Sequence, residues 1–459
     1  MVRISGNKSK ITIAAALIIC LVSIFGLLLR KNGNKRNRKA AEASGRIEVR
    51  GFDWGPAVTK AIIKFPQALK NDQMLSPDMF QVKEKKKGFQ PAVSSQRTIT
   101  DIYFSDENGN RADPAAAENE PSFITLELQY SPDEGSPFYY DPSSFNYWYQ
   151  SYMMEIKLQK GKTLLLSNNE EIGLETVKIS FADKPNESVI LPEIKNVYTS
   201  GSFTGKEGFT LTYASFAPDN ASEDNKRPLV IWLHGAGEGG TDPTVALYGN
   251  KVTALFSEEF QNTMNGAYVL VPQTPAIWKI NEKGEYFSYQ YPGERSIFLH
   301  DLKELIDEFS GANYVDKDRI IVGGCSNGGF MTMDLILHYP DFFAAAYPIC
   351  EVYEPELIPD EKLEGIKNLP MWFVYARNDQ TVVPSIYEEP LLQRLKELGA
   401  GHDLHISEFD DVHDTSGKYF KDGEPYQFYG HFSWVYFFNN ECHDGDLSLW
   451  QWLSMQKRH

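Results

Sequence analysis

Apolar and polar positions change rhythm twice along the chain. Residues 11–29 (ITIAAALIICLVSIFGLLL) form an uncharged run of nineteen, near the ~20 residues a helix needs to cross a bilayer. From about residue 47 to 158 the pattern is short β-runs: 98–104 and 123–130 alternate apolar with polar, with turn signals at Asn108-Gly109 and Asp113-Pro114 between them. That pattern predicts a β-sandwich. From about residue 190 onward, strand, loop and helix repeat, which predicts a parallel sheet wrapped by helices. Runs 228–233, 268–271, 319–322 and 371–375 read as buried strands. Phe298, Leu302, Leu305, Ile306 and Phe309 share one face of a helix, and a second helix is expected near 391–398, ended by Gly399. The expected organisation is a basic segment 1–10, the apolar span 11–29, a basic linker 30–46, a β domain with its connection at 47–185, and the helix-wrapped sheet at 186–459.

Composition narrows this picture. With 42% hydrophobic and 13% aromatic residues in 459, the chain can bury two cores. Residues 1–45 hold nine Lys/Arg and one acid, whereas the remaining 414 carry 36 basic and 61 acidic side chains. An acidic body argues against nucleic acid as a partner, because phosphate binding needs a basic surface. Four scattered cysteines exclude a disulfide framework and a paired-cysteine metal site. At the amino terminus Arg3, Lys8 and Lys10 precede the apolar run, as in a secretory signal, but no Ala-x-Ala site closes it. An uncleaved membrane anchor with an extracytoplasmic body is therefore preferred over a cleaved signal, although the basic patch at 30–39 outweighs the one before the span and a literal positive-inside count opposes that orientation. Cys20, mid-span behind Ile19, reads as a core residue of the span rather than a lipidation site. Oligomeric state has no signal in the sequence.

The chemistry concentrates in the second half. Strand 319–322 runs into Gly324-x-Ser326-x-Gly328 and then a helical stretch, the strand–turn–helix context of a nucleophile elbow. The flanking glycines let strand and helix approach while the serine takes a strained backbone conformation. Acyl transfer needs oxyanion donors: the backbone N–H of Asn327 is one candidate, and Ala236 or Gly237, in the Gly-rich loop after strand 228–233, is the other. No Gly-Lys-Ser/Thr closes that loop, so phosphate binding is disfavoured. His234 is expected to brace the loop. Asp379, after strand 371–375, is the candidate acid that orients a histidine.

Two histidines compete for the role of base. His431 in Gly430-His431-Phe432-Ser433-Trp434 has small and apolar neighbours, whereas His413 stands among Asp410, Asp411 and Asp414, which favour a charged, poorly basic ring. His431 is preferred. Cys325 is expected to point into the fold, and Trp278 with the aromatic stretch 286–291 either lines a substrate pocket or packs its loop. Residues 138–152 hold eight aromatics, for which packing is preferred over stacking on sugar or aryl groups. Asp106, Asn108 and Asn110 form a plain turn rather than a calcium loop, which would need a later Gly and a closing Glu.

Residues 315–329 (VDKDRIIVGGCSNGG), with HGAGE at 234–238, YPDFFA at 339–344 and GHFSW at 430–434, resemble the esterases related to polyhydroxybutyrate depolymerases, feruloyl and acetylxylan esterases and prolyl-oligopeptidase-like hydrolases, in particular the branch with an immunoglobulin-like domain ahead of the hydrolase. The resemblance covers about 190–455 by motif and 47–160 by architecture. It implies an α/β-hydrolase fold, an Ig-like sandwich and a triad of Ser326, Asp379 and His431. One departure, an apparent insertion at 410–429 before the Gly-His motif, keeps His413 in contention. The expected function is serine esterase action on a small or polymeric ester, with no metal or organic cofactor. A serine peptidase, or an adhesion protein with an inactive hydrolase domain, are the alternatives.

Overall fold

The computed structural model describes residues 40–112, 121–141, 145–195, 197–286, 293–401 and 403–458. The expected span 11–29 and the aromatic stretch 287–291 lie outside them. Among the described residues no helix is long and apolar enough to cross a membrane.

The N-terminal part is a sandwich. One sheet orders Val189–Ile190, Ser44–Phe52, Gly55–Lys64, Phe123–Leu128 and Ile99–Ser105; the other orders Val177–Phe181, Ser151–Leu158, Phe80–Lys87 and Val93–Arg97. In Phe80–Lys87 every second side chain faces inward, the period-2 signature of a sheet with one wet face. One inward residue is Glu84, made tolerable by Arg97 at 3.1 Å and the Tyr152 hydroxyl at 2.6 Å. The Asp106 loop is a turn, since the Asp106 carboxylate accepts from the backbone N–H groups of Asn108 and Asn110.

The C-terminal part is one eight-stranded sheet. Its strands are β1 (Tyr198–Thr204), β2 (Thr210–Phe216), β3 (Arg227–Leu233), β4 (Tyr268–Gln273), β5 (Val315–Cys325), β6 (Ala345–Ile349), β7 (Met371–Ala376) and β8 (Leu404–Phe409), in spatial order 1-2-4-3-5-6-7-8. β2 is antiparallel to both β1 and β4, and β3 to β8 pair in parallel. The main helices are α1 (Leu299–Ala312), α2 (Asn327–His338) and α3 (Glu388–Glu397). The apolar face expected for α1 is the buried one, and past α3 the chain turns at Gly399, with φ +88°.

Residues of the central strands are buried on both faces, and they alternate between two cores. In β3, Leu229, Ile231 and Leu233 join the core beneath α1 and α2, whereas Val230 and Trp232 face a core that continues into the sandwich through Tyr248 and Trp148. The aromatic strip supplies much of this junction. Trp148 is buried, edge-on to Phe138 and Phe181, and its indole N–H donates to Thr244 Oγ1 at 3.0 Å across the boundary. Tyr140 and Tyr147 of the same strip stay exposed. Asp53 accepts from Lys251 Nζ at 2.9 Å and Asn439 at 3.1 Å, and Trp54 packs edge-on against Tyr419.

A shared core couples the two parts in unfolding. Calorimetry is expected to give one transition, and Trp148→Ala is expected to cost ~3–5 kcal/mol in denaturant titration while keeping that transition single. Two separated transitions in the unsubstituted protein contradict a shared core.

Candidate active site

Strand β5 ends at Cys325 and α2 begins at Asn327, so Ser326 alone makes the corner, with φ 54° and ψ −116°. A side-chain-bearing residue avoids that backbone region unless its surroundings hold it there. Here Ser326 N–H donates to Ile349 O of β6 at 2.8 Å, and Ser326 O accepts from Phe330 N at 2.9 Å. The flanking glycines serve close approach: a Cβ on Gly324 or Gly328 would overlap the Leu233 carbonyl oxygen of β3. Cys325 is fully buried, and burial pushes its thiol well up, as expected of a packing residue.

Asp379 lies just beyond β7, at the same end of the parallel sheet as Ser326. Its Oδ1 accepts from Thr381 N at 2.8 Å and Val382 N at 2.9 Å, leaving Oδ2 for His431 Nδ1 at 2.6 Å. Both residues are buried. The His431 ring meets Trp434 edge-on at 5.5 Å, which explains the spacing in Gly-His-x-x-Trp: one turn of chain brings the indole under the imidazole. Gly430 has its own reason, since a Cβ there would overlap the Asn378 side chain, so only glycine lets the two loops pass. His413 instead binds Asp411 at 2.6 Å on a half-exposed loop, so Asp379 is paired with His431 and not with His413.

The ligand-type atoms of Cys350, Asp379 and His431 lie within 4.8 Å of one another. As a metal site the set is poor. Burial keeps the Cys350 thiol well above its ordinary pKa, and both Asp379 oxygens are already engaged. Cys350 also follows Ile349, the acceptor of the Ser326 N–H, so this cluster ties the Asp379–His431 pair to the serine corner.

The Gly-rich loop after β3 forms a tight turn, Ala236–Glu238. Its internal bonds, Glu238 N to Gly235 O and Gly239 N to Ala236 O, make no use of the Ala236 and Gly237 N–H groups. His234 braces the loop as expected: Nδ1 lies 2.6 Å from Gly235 O, and Nε2 accepts from Thr274 N at 3.2 Å. Burial lowers its pKa to about 4, so the ring is neutral near pH 7.

Trp278 requires a correction. Its indole is fully buried, so it offers no face to a substrate; it donates to His234 O at 3.1 Å, while its backbone N–H donates to Asn327 Oδ1 at 2.5 Å. It braces the glycine loop against the start of α2. Two neighbours of the loop had no sequence signal beyond a charged residue among glycines and an amide among aromatics. Glu238 is buried, and Asn146 of the N-terminal part donates to its Oε1 at 2.9 Å.

Comparisons with known proteins agree with this architecture. Residues 48–168 match the family described as esterase Ig-like N-terminal domain, and residues 294–362, which include the serine corner, match the prolyl oligopeptidase family. A crystal structure of a thermostable esterase superposes with a TM-score of 0.70 at 25% identity, covering 90% of this chain and all of that one. Poly(3-hydroxyalkanoate) depolymerase C of Paucimonas lemoignei is 30% identical over 125 residues, and an uncharacterized secreted protein of Arthroderma benhamiae is 27% identical over 152. Those matches cover 27% and 31% of this chain, and 27% and 14% of the relatives' own lengths. Fold and comparisons together define an α/β hydrolase. More particularly, its order of parts is similar to that of esterases with an Ig-like domain ahead of the hydrolase fold.

The tight passage at Gly430 yields a test. Gly430→Ala is expected to displace His431 from Asp379 and lower ester turnover at least tenfold, with the far-UV circular dichroism unchanged. Undiminished kcat contradicts the contact.

Proposed function

We propose that the protein is a serine esterase that cleaves carboxylic esters through an acyl-enzyme. The observation that carries this reading is the 2.6 Å bond between His431 Nδ1 and Asp379 Oδ2, at the same end of the sheet as a serine held in a left-handed corner. Ser326 Oγ attacks the ester carbonyl carbon and gives its proton to His431 Nε2. Asp379 keeps the Nδ1 proton, fixes the ring and stabilises the imidazolium. The oxyanion is received by the N–H of Asn327, at the first turn of α2 where no intrahelical acceptor exists, and by the N–H of Ala236 or Gly237. Collapse of the intermediate breaks the C–O bond, and the alkoxide leaves with the proton from His431. A water then repeats the sequence against the acyl-serine and releases the acid.

The depolymerase and thermostable esterase relatives support an ester, polymeric or small, over a peptide as substrate. The acidic body supports a partner list without nucleic acid. The secreted relative supports a catalytic part outside the cytoplasm, reached through the apolar segment 11–29 as anchor or cleaved signal. The division of the chain near residue 186 into sandwich and hydrolase completes the reading.

A panel of p-nitrophenyl esters from short to long acyl chains, with a peptide p-nitroanilide beside it, tests the proposal. Ester turnover is expected to dominate, Ser326→Ala and His431→Ala to lower kcat by at least ~10³-fold, and His413→Ala to leave it within about twofold. Preferred anilide cleavage, or full turnover by Ser326→Ala, overturns the reading.

A further inference from the structure

We propose that Glu238 is a positioning residue for the reaction: its buried carboxylate clasps the oxyanion loop to the nucleophile strand and, through Asn146, to the N-terminal domain. The inference rests on the esterase reading above and adds a role for a group which that mechanism does not use.

The carboxyl group sits where three parts of the molecule meet. Asn146, on the hairpin formed by Phe138–Tyr140 and Asn146–Trp148, donates to Oε1 at 2.9 Å. Asn250, just after the helix Pro243–Tyr248, donates to Oε2 at 3.1 Å, and the same amide reaches Cys325 Sγ at 3.5 Å, one residue before the nucleophile. Gln273 of β4 donates to the Glu238 carbonyl at 2.9 Å. A Cβ on Gly235 would stand 3.1 Å from Oε2, and one on Gly249 would stand 2.7 Å from Cγ, so the side chain fills a cradle that glycines keep open. On the other side of the loop, a Cβ on Gly237 would stand 3.0 Å from the Asn146 amide nitrogen. The residue that grips Glu238 therefore also flanks a candidate oxyanion donor.

Every side-chain partner of the carboxyl group is an N–H donor. An ionised carboxylate accepts from all of them, whereas an added proton meets a donor. Burial opposes the charge and pushes this group up to about 7, against the downward pull of Asn146, Asn250 and Gly235. Burial keeps the Cys325 thiol on β5, which interacts electrostatically with Glu238, and His234 at the head of the loop uncharged near pH 7. Glu238 thus changes charge in a range where neither neighbour does. On this basis the clasp loosens, and oxyanion binding weakens, as pH falls through about 7.

The test compares the unsubstituted full chain, Glu238→Gln, Asn146→Ala and the double variant on p-nitrophenyl acetate from pH 5.5 to 9, with Ser326→Ala as control. Glu238→Gln is expected to lower kcat at least tenfold while KM moves less than about twofold, because the oxyanion forms only in the transition state. The acid-side fall in kcat is expected to involve one ionisation more in the unsubstituted protein than in Glu238→Gln, where only protonation of the base His431 remains. Asn146→Ala, at a partly exposed hairpin position, is expected to lower kcat severalfold, and the double variant to be no worse than Glu238→Gln alone. Unchanged kcat in Asn146→Ala, additive losses, or a pH profile of Glu238→Gln that superposes on that of the unsubstituted protein each overturns the inference, and the Asn146→Ala arm keeps it testable should Glu238→Gln not fold. An inactive unsubstituted protein, or an active Ser326→Ala, brings down the esterase reading and this inference with it. Active unsubstituted protein with indifferent clasp variants overturns the inference alone.

Discussion

The end of the molecule that holds the candidate active site depends on one backbone constraint, a serine held at φ 54° between β5 and α2. Such a conformation costs on the order of 1–3 kcal/mol and persists only when its surroundings over-determine it. Here they do. The Ser326 N–H is bound to β6, its carbonyl belongs to the first turn of α2, and the glycines on either side press against the end of β3. The corner therefore fixes where β3, β6 and α2 meet, and the loops after β3, β7 and β8 supply the other candidate site residues.

From that meeting point the other parts follow by contact. The loop after β3 is tied to the start of α2 by Trp278, which donates to both Asn327 Oδ1 and His234 O. The residue after β6 is Cys350, whose Sγ lies within 4.8 Å of ligand-type atoms of Asp379 and His431. Gly430 lets the histidine loop cross the aspartate loop without separation. The N-terminal sandwich is bound into the same construction, because one face of the hydrolase sheet and the sandwich interior form a continuous core and Asn146 reaches the glycine loop.

Much of this was legible in the sequence, for identifiable reasons. The central strands of a helix-covered parallel sheet are apolar on both faces, so 228–233, 268–271 and 371–375 stood out as unbroken runs. The nucleophile corner needs glycines at fixed offsets, and His431 carries a Gly before it and a Trp three residues after it, each with a packing reason now evident. Trp278 is ambiguous in the sequence because an aromatic on such a loop serves equally as pocket wall or as brace, and only the hydrogen bonds to His234 and Asn327 distinguish the two. Asn146 and Glu238 are 92 residues apart, and nothing local in either segment signals that they meet. The aromatic strip divided, with Phe138 and Trp148 buried at the junction and Tyr140 and Tyr147 left outside, because a hairpin at a domain boundary has one dry face and one wet one.

Reaction with a fluorophosphonate, followed by peptide mass spectrometry, tests the central claim most directly. A single adduct is expected on Ser326, formed at least a hundredfold more slowly in His431→Ala and at the unsubstituted rate in His413→Ala. An adduct on another residue, or labelling of Ser326 that is indifferent to His431, contradicts a serine activated by the Asp379–His431 pair.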